Sequence, residues 1–274
     1  MECRHCGQGI DLVFADLGTA PPSNAYLTSA QLNDPEQYFP LRILTCENCW
    51  LVQVEEFNAG VQLFDADYAY FSSYSTSWLD HCKRYSHEMI ATLGLNDRSM
   101  VVEVAANDGY LLQYFKARNV ACYGIEPTAG TAKAAREKGI DITEAFFDEA
   151  LGKDLARKGQ SADLMIANNV LAHVPAINDF VKGFAALLKP SGVATFEFPH
   201  LLELVKHQQF DTIYHEHYSY LSLSTVKRIF EANGLMVYDV QKQDTHGGSL
   251  RVFAQRSDAG TPQPGVRVQE FSEN

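Results

Sequence analysis

The chain predicts an α/β protein with a parallel central sheet behind a small metal-stapled unit, and three observations carry that expectation. Four cysteines fall in two close pairs, Cys3-Arg-His-Cys6 and Cys46-Glu-Asn-Cys49. Strand-like and helix-like segments alternate from 99 to 200, the pattern of right-handed βαβ units around a parallel sheet. The first of those strands, in Met100-Val-Val-Glu103-Val-Ala105-Ala-Asn107-Asp108-Gly109, runs into a tight turn, and open parallel sheets bind ligands beyond such strand ends.

Residues 1–60 are expected to form the metal-stapled unit. Two residues between paired thiols suit two bonds to one tetrahedral Zn²⁺, and the second pair completes the shell. Cys3, Cys6, Cys46 and Cys49 are therefore the candidate ligands. A filled four-thiolate shell has no open position, so it holds a fold and does no chemistry. Short β-like pieces, Leu41–Thr45 and Leu51–Val54, flank the second pair, and Pro21-Pro22-Ser23-Asn24 breaks the segment between the pairs. A unit this small buries little apolar area alone, so a staple makes physical sense.

Residues 61–98 open with aromatics, Tyr68-Ala-Tyr70-Phe71-Ser-Ser-Tyr74, that could fold over a site as a lid. A helix follows over Ser77–Leu93, with Leu79, Cys82, Tyr85, Met89 and Leu93 at three- and four-residue steps and Gly94 as its C-cap. Residues 99–255 hold the main domain. Its expected order is strand Val101–Ala105, helix Tyr110–Arg118, strand Ala121–Glu126, helix Thr131–Lys138, strand Ile140–Ile142, strand Ala162–Ala167, helix Ile177–Leu188, a turn at Lys189-Pro-Ser-Gly192, and strand Gly192–Phe198. Then come helix Leu201–His207, a polar-aromatic loop, a helix capped by Ser224 and stopped by Gly234, and strands Leu235–Val240 and Ser249–Ala254. Residues 256–274, rich in Pro, Gly, Ser and Gln, read as a linker or tail.

Bulk properties narrow the function classes. With 274 residues, 46% hydrophobic and 20% charged, the chain can bury a full core. A net charge of -12 argues against a general binder of nucleic acid or anionic membrane, yet allows a phosphate-bearing substrate in a local basic pocket. No apolar run reaches the ~18 residues of a membrane span, and the N-terminus lacks an apolar secretion signal. A cytoplasmic location is expected, where reduced thiols favour metal over disulfide. Cys82 and Cys122 read as small core hydrophobes.

At the turn after the first strand, Glu103, Ala105, Asn107, Asp108 and Gly109 form one wall of a candidate cofactor site. Glu126, followed by Pro127, ends the second strand 23 residues after Glu103, where a carboxylate accepts from ribose hydroxyls. A dinucleotide needs three glycines so that pyrophosphate can sit on the helix N-terminus. This turn has one glycine and an acidic side chain, which repels pyrophosphate and suits the cationic end of S-adenosylmethionine. Phe146-Phe147-Asp148, after the third strand, can stack on adenine and accept from its amino group. One of the two rings belongs to the core, and Phe147 is the expected ring contact. Asn168 and Asn169, after the fourth strand, reach toward the methionine end.

The loop Phe210-Asp-Thr-Ile-Tyr214-His215-Glu216-His217-Tyr218 is dense in titratable and phenolic groups. Histidine takes a proton near neutral pH, and an adjacent carboxylate can orient a hydroxyl or raise the imidazole pKa. Acid–base work is favoured, with a metal site at His215 and His217 and a solvated surface loop as the competing readings. The segment is not H-E-x-x-H, so a helix-borne zinc protease is not supported. His173, just past the fourth strand, joins the candidates by position.

These residues resemble a known family. Its marks are the paired cysteines, Tyr68-Ala-Tyr70-Phe-Ser-Ser73, Glu103…Asn107-Asp108-Gly109, Gly124-Ile-Glu126-Pro127, Asn168-Asn169…His173-Val-Pro175, Phe210-Asp-Thr-Ile-Tyr214-His-Glu216-His217, and His246-Gly247-Gly248-Ser-Leu-Arg251. Over almost all of residues 1–255 the chain resembles bacterial nucleotide-sugar C-methyltransferases. The resemblance implies a zinc-binding domain, a class I S-adenosylmethionine-dependent methyltransferase domain with a Rossmann-like core, and a third, C-terminal domain that helps hold the nucleotide-sugar. This chain stops soon after the His-Gly-Gly segment, so the third part is expected to be missing. Ala105 also stands where the family usually has glycine.

The substrate implied by resemblance is a 4-keto-deoxysugar nucleotide, commonly dTDP-linked. A proton alpha to the ketone leaves, and the enolate carbon takes the methyl group. His217 is then the base, Glu216 binds the sugar or orients its neighbour, and Tyr214, Tyr68 and His173 donate to sugar oxygens or the enolate. Methylation at oxygen or nitrogen, or cofactor binding without turnover, are the alternatives. No nucleic-acid or membrane partner is expected, and a monomer is favoured.

Overall fold

The computed structural model describes residues 1–23, 26–55, 70–260, 265 and 268. Near the N-terminus lie β1 (Leu12–Ala20), β2 (Phe39–Thr45) and β3 (Val52–Val54). The main domain runs α1 (Thr76–Leu93), β4 (Met100–Val104), α2 (Leu112–Lys116), β5 (Ala121–Ile125), α3 (Ala129–Glu137), β6 (Asp141–Thr143), α4 (Glu149–Arg157), β7 (Ala162–Asn168), α5 (Ile177–Leu187) and β8 (Leu188–Pro199). It continues with α6 (Leu201–His207), β9 (Ser219–Tyr220), α7 (Leu223–Ala232), β10 (Leu235–Gln243) and β11 (Ser249–Arg256).

Seven strands form one sheet in the order β10-β11-β8-β7-β4-β5-β6. The five strands β4 to β8 are parallel to their neighbours, while β11 runs antiparallel between β8 and β10. The chain winds outward from β4 through β5 to β6, then returns across β4 to β7 and β8. Beside β4 the strand order reverses, and the carboxyl ends there open a crevice. Strands buried on both faces read as continuous apolar runs. Leu164, Met165, Ile166 and Ala167 of β7 are accordingly fully buried. Phe184 of α5, Phe196 of β8 and Phe230 of α7 pack in series on one face, with ring centroids 4.5 and 4.6 Å apart. Tyr85, Met89 and Leu111 fill the other.

Several elements differ from the sequence expectation, each for a local reason. α4 is an addition to the expected order: it is short, with Gly152 inside it and only Leu151 and Leu155 as large apolar residues. Asp148 caps it, accepting from the Leu151 N–H at 2.7 Å. Gly152 is required by packing: a Cβ there would lie 2.6 Å from the Gly183 carbonyl oxygen on α5. The Lys189–Gly192 turn is absorbed into β8 as an irregularity. Leu188 pairs with Ala162 and Val193 with Leu164, so the four intervening residues face Asp163 alone. α7 is capped by Ser222 and not Ser224, its hydroxyl accepting from the Thr225 N–H at 3.3 Å. α1 ends at Gly94 in the left-handed region, as its sequence indicates.

The smaller sheet has the order β1-β2-β3-β9. Its fourth strand, β9, belongs to the far part of the chain and pairs with β3 through Val52–Tyr220 and Gln53–Ser219. The unit expected over 1–60 is therefore finished by residues that follow the reactive loop.

Candidate active site

Two side chains at the crevice, Glu103 and Asn168, keep buried polar atoms without partners among the described residues, which is costly unless a ligand supplies them. Glu103 of β4 is fully buried and neither carboxylate oxygen has a hydrogen bond among the described residues. Burial pushes the Glu103 pKa well above the carboxylate range, Tyr110 opposes the shift, and Glu126 and Asp108 add to it. Asn168, at the end of β7, keeps an unpartnered Oδ1. Register places Glu103 opposite Ile166 of β7, two residues before Asn168. A cationic ligand end fits this orphaned carboxylate, and the ammonium and sulfonium of S-adenosylmethionine are of that kind.

The turn between β4 and α2 takes left-handed conformations at alternate residues: Ala105 (φ 58°), Asn107 (φ 47°) and Gly109 (φ 75°). Ala105 thus keeps a glycine-like backbone, at a cost of about 1–2 kcal/mol. The neighbouring side chains turn outward. Asn107 accepts from the Ser72 N–H at 2.9 Å and donates to the Tyr70 carbonyl at 3.0 Å. Asp108 bonds the Ser73 hydroxyl and pairs with Lys138 at 3.0 Å. These two residues fasten the segment 70–73 over the turn. The acidic character facing the crevice rests on Glu103, because Asp108 is neutralised by Lys138. Tyr68 lies outside the described residues.

Glu126 sits just past β5, as expected, and secures the same turn. Its carboxylate accepts from the N–H groups of Asn107 at 2.9 Å and Thr128 at 3.0 Å, and from the Thr128 hydroxyl. Pro127 links the two. Phe147 requires a correction. It is 8% exposed and packs edge-on against Phe180 and Phe184 in the core, whereas Phe146 is 63% exposed. Of the adjacent pair, the second ring enters the core and the first faces out. Asp148 is committed to capping α4.

Across the crevice, the reactive loop splits its alternating side chains between two surfaces. His217 Nδ1 lies 2.8 Å from the Thr212 carbonyl, which only accepts, so Nδ1 carries the hydrogen. Nε2 is then the basic nitrogen, and it accepts from the Tyr214 hydroxyl at 2.9 Å. Burial lowers the His217 pKa to about 4, and His246 adds to the effect. The ring of His173, just past β7, centres 4.6 Å from that of His217, and burial lowers its pKa to about 3. Both imidazoles are neutral at pH 7. Glu216 is buried and accepts from the Ser23 hydroxyl at 3.4 Å. His215 points the other way, donating from Nε2 to the Pro40 carbonyl at 3.0 Å. It ties the loop to β2, so the two histidines do not converge on one metal.

The four cysteines do converge. Their sulfurs lie within 4.8 Å of one another, and Cys3–Cys49 and Cys6–Cys46 are each 3.5 Å apart. A tetrahedral Zn²⁺ with bonds of ~2.3 Å separates its sulfurs by ~3.8 Å, so the cluster fits that ion. Gln53 donates to Cys3 Sγ at 3.2 Å. The residue after each pair, Gly7 (φ 72°) and Trp50 (φ 65°), is left-handed, which turns the two knuckles alike. Arg4, between the first two cysteines, donates to the Val54 carbonyl at 2.7 Å and lies 5.2 Å from the Tyr218 ring centre. The metal unit thus touches the residue next to His217.

The model of a family described as a methyltransferase domain matches residues 77–240, more than half of the chain. The chain belongs to the S-adenosylmethionine-dependent methyltransferases. A zinc binding domain model matches residues 3–64. The methyltransferase is 35% identical over 253 residues to C-methyltransferase NovU of Streptomyces niveus, an alignment covering 92% of this chain and 60% of that protein. Magnesium protoporphyrin IX methyltransferase of Synechocystis PCC 6803, solved with bound SAH, shares the fold at TM-score 0.51 and 16% identity, over 65% of this chain and 83% of that one. An S-adenosylmethionine-dependent methyltransferase of Clostridium acetobutylicum ATCC 824 does so at TM-score 0.51 and 12% identity, over 65% and 92%. Among the described residues, no helix is long and apolar enough to cross a membrane.

Sequence reasoning missed one buried cluster at the base of the crevice. Glu197, at the end of β8, is held by Arg251 of β11 at 2.6 Å and His81 of α1 at 3.0 Å, and accepts from the Thr245 hydroxyl at 2.8 Å. Burial would raise the Glu197 pKa, but its His81 and Arg251 partners bring it below the usual range. Glu197 stands between the fully buried Phe196 and Phe198; its partners come from elements far apart in sequence and left no local signal.

Proposed function

We propose that this methyltransferase transfers a methyl group to carbon, at the position alpha to the ketone of a nucleotide-linked 4-keto-deoxysugar. The single observation behind this reading is the hydrogen-bonded order Thr212–His217–Tyr214 beside His173. It presents a neutral imidazole nitrogen with phenolic and imidazole groups around it. Methylation at carbon needs a base for the alpha proton and donors for the enolate oxygen. The likeness to NovU, a C-methyltransferase, supports the same reading.

Glu103 and Asn168 would hold the amino-acid end of S-adenosylmethionine, and Glu126 its ribose. When bound, it supplies an electrophilic methyl group. His217 Nε2 takes the alpha proton once the acceptor displaces the Tyr214 hydroxyl. That hydroxyl and His173 are then placed to donate to the enolate oxygen, and Glu216 to accept from a sugar hydroxyl. Fixed placement of both partners removes much of the entropic barrier.

The test uses dTDP-4-keto-6-deoxyglucose as acceptor in D₂O. Deuterium should enter the carbon alpha to the ketone without S-adenosylmethionine, and a C-methylated product should form when it is added. His217→Asn should lose both. Methylation confined to a hydroxyl, with no exchange at carbon, rejects the reading in favour of an O-methyltransferase.

A further inference from the structure

His246 stands out because its backbone is strained while its side chain is exposed. It takes φ 51° and ψ 42° between Gly247 (φ 75°) and Asp244-Thr245. A β-carbon is disfavoured in that region. Such a conformation persists only where its surroundings over-determine it, and here they do. The Thr245 hydroxyl donates to Glu197, itself locked by Arg251 and His81. Gln209 donates to the Gly247 carbonyl at 2.7 Å, and the His200 N–H to the Gly248 carbonyl at 3.0 Å. A Cβ on Gly247 would lie 2.5 Å from the Gln209 side chain, and one on Gly248 2.8 Å from that of Glu203. The loop is clamped between β11 and α6, and the clamp fixes where the imidazole goes.

It goes to the crevice. The His246 ring meets Trp78 edge-on with centroids 5.2 Å apart. Its Nδ1 lies 3.5 Å from the Asn169 amide nitrogen, just past β7. It is also close enough to His217 to disfavour that ring's protonation. His246 thus stands at the end of β7, from which the chain runs on to His173, whose ring centres 4.6 Å from that of His217.

We propose that His246 is an acceptor-binding residue, whose outer ring nitrogen hydrogen-bonds a hydroxyl of the sugar and so sets which ring carbon faces His217. The proposal rests on the sugar-nucleotide reading above. With Asn169 donating toward Nδ1, the hydrogen sits on Nε2, which then donates to the sugar oxygen. The cofactor end is assigned to Glu103 and Asn168, neither of which bonds His246, so S-adenosylmethionine affinity should not depend on this residue.

The experiment compares wild type, His246→Gly and His246→Asn in the full chain, with dTDP-4-keto-6-deoxyglucose as the probe. Glycine relieves the left-handed strain, so His246→Gly should melt at the same or a higher temperature. Its acceptor KM should rise about tenfold or more, the value of one lost hydrogen bond, with S-adenosylmethionine Kd within about twofold. Asparagine tolerates the backbone and retains a donor, so His246→Asn should recover part of the acceptor affinity. An unchanged acceptor KM in His246→Gly overturns the proposal. So does a loss of cofactor affinity as large as that for the acceptor, or a lowered melting temperature that explains both. A wild type that methylates no sugar nucleotide rejects the underlying reading instead, and the substrate class assigned to His246 with it.

Discussion

The two sides of the crevice hold their polar groups in opposite states. On the β4–β7 side, Glu103 and Asn168 are buried with unmet hydrogen-bonding capacity. On the loop side, Tyr214, His217 and Thr212 satisfy one another, and His215 is spent on Pro40. The first arrangement is a preformed cradle that waits for a charge. The second is closed on itself and must open before it can act, because the basic nitrogen of His217 is covered by a phenol. Cofactor binding therefore needs little rearrangement, while acceptor binding needs an exchange of hydrogen bonds.

The largest expected effect breaks the loop side alone. His217→Asn should lower methyl transfer by about 10²–10⁴-fold, with calorimetric S-adenosylmethionine affinity near normal; a parallel loss of cofactor affinity would merge the two sides into one. Metal removal comes next. A chelator strong enough to strip the four thiolates should unpair β3 from β9 and disorder the loop. Transfer should fall, while cofactor binding and the melting of the larger sheet change little. If the larger sheet melts together with the metal unit, the loop side has no separate stability.

Acidity sharpens the comparison further. A base must be deprotonated, and burial holds His217 at about 4. The acid limb of the kcat/KM profile should therefore fall near pH 4 and not near the ordinary histidine value of ~6.5, provided assays correct for acid unfolding.

Glu103 gives the opposite signature. Its folded pKa is raised above the unfolded value, so the stability it contributes is fully present below the unfolded pKa and is lost as pH rises through the folded one. Without ligand, melting temperature should decline over that range, and Glu103→Gln should flatten the decline while weakening cofactor binding. Calorimetry in buffers of different ionisation heat should show proton release when S-adenosylmethionine binds wild type. The smallest effect is Ala105→Gly, expected to stabilise by up to about 1 kcal/mol through relief of the left-handed strain, read from denaturant midpoints.

Much of the fold was legible because βαβ alternation is a local signal. The strands around Glu103, Glu126 and Asn168 were readable from apolar runs ending in polar residues, and the cysteine spacing gave a cluster whose sulfurs do meet. The rest depended on distance. β9 has two residues and no propensity signal; it is a strand only because β3 lies beside it. Asn107 and Asp108 looked like ligand contacts, yet the chain returns at Tyr70–Ser73 and claims them. Phe146 and Phe147 are chemically identical, and only the entry of α4 decides which ring is buried. The Glu197 cluster joins three elements separated by more than 50 residues, beyond the reach of any spacing rule.

Strand β9 has a further consequence. Because the thiolate unit borrows its last strand from just beyond the imidazole loop, it cannot behave as a detachable cassette. Cutting the polypeptide after Val54 would leave Tyr218, Ser219 and Tyr220 without the backbone they lean on. A metal held by the four thiolates would, through β3 and β9, act as a splint for the loop that carries His217.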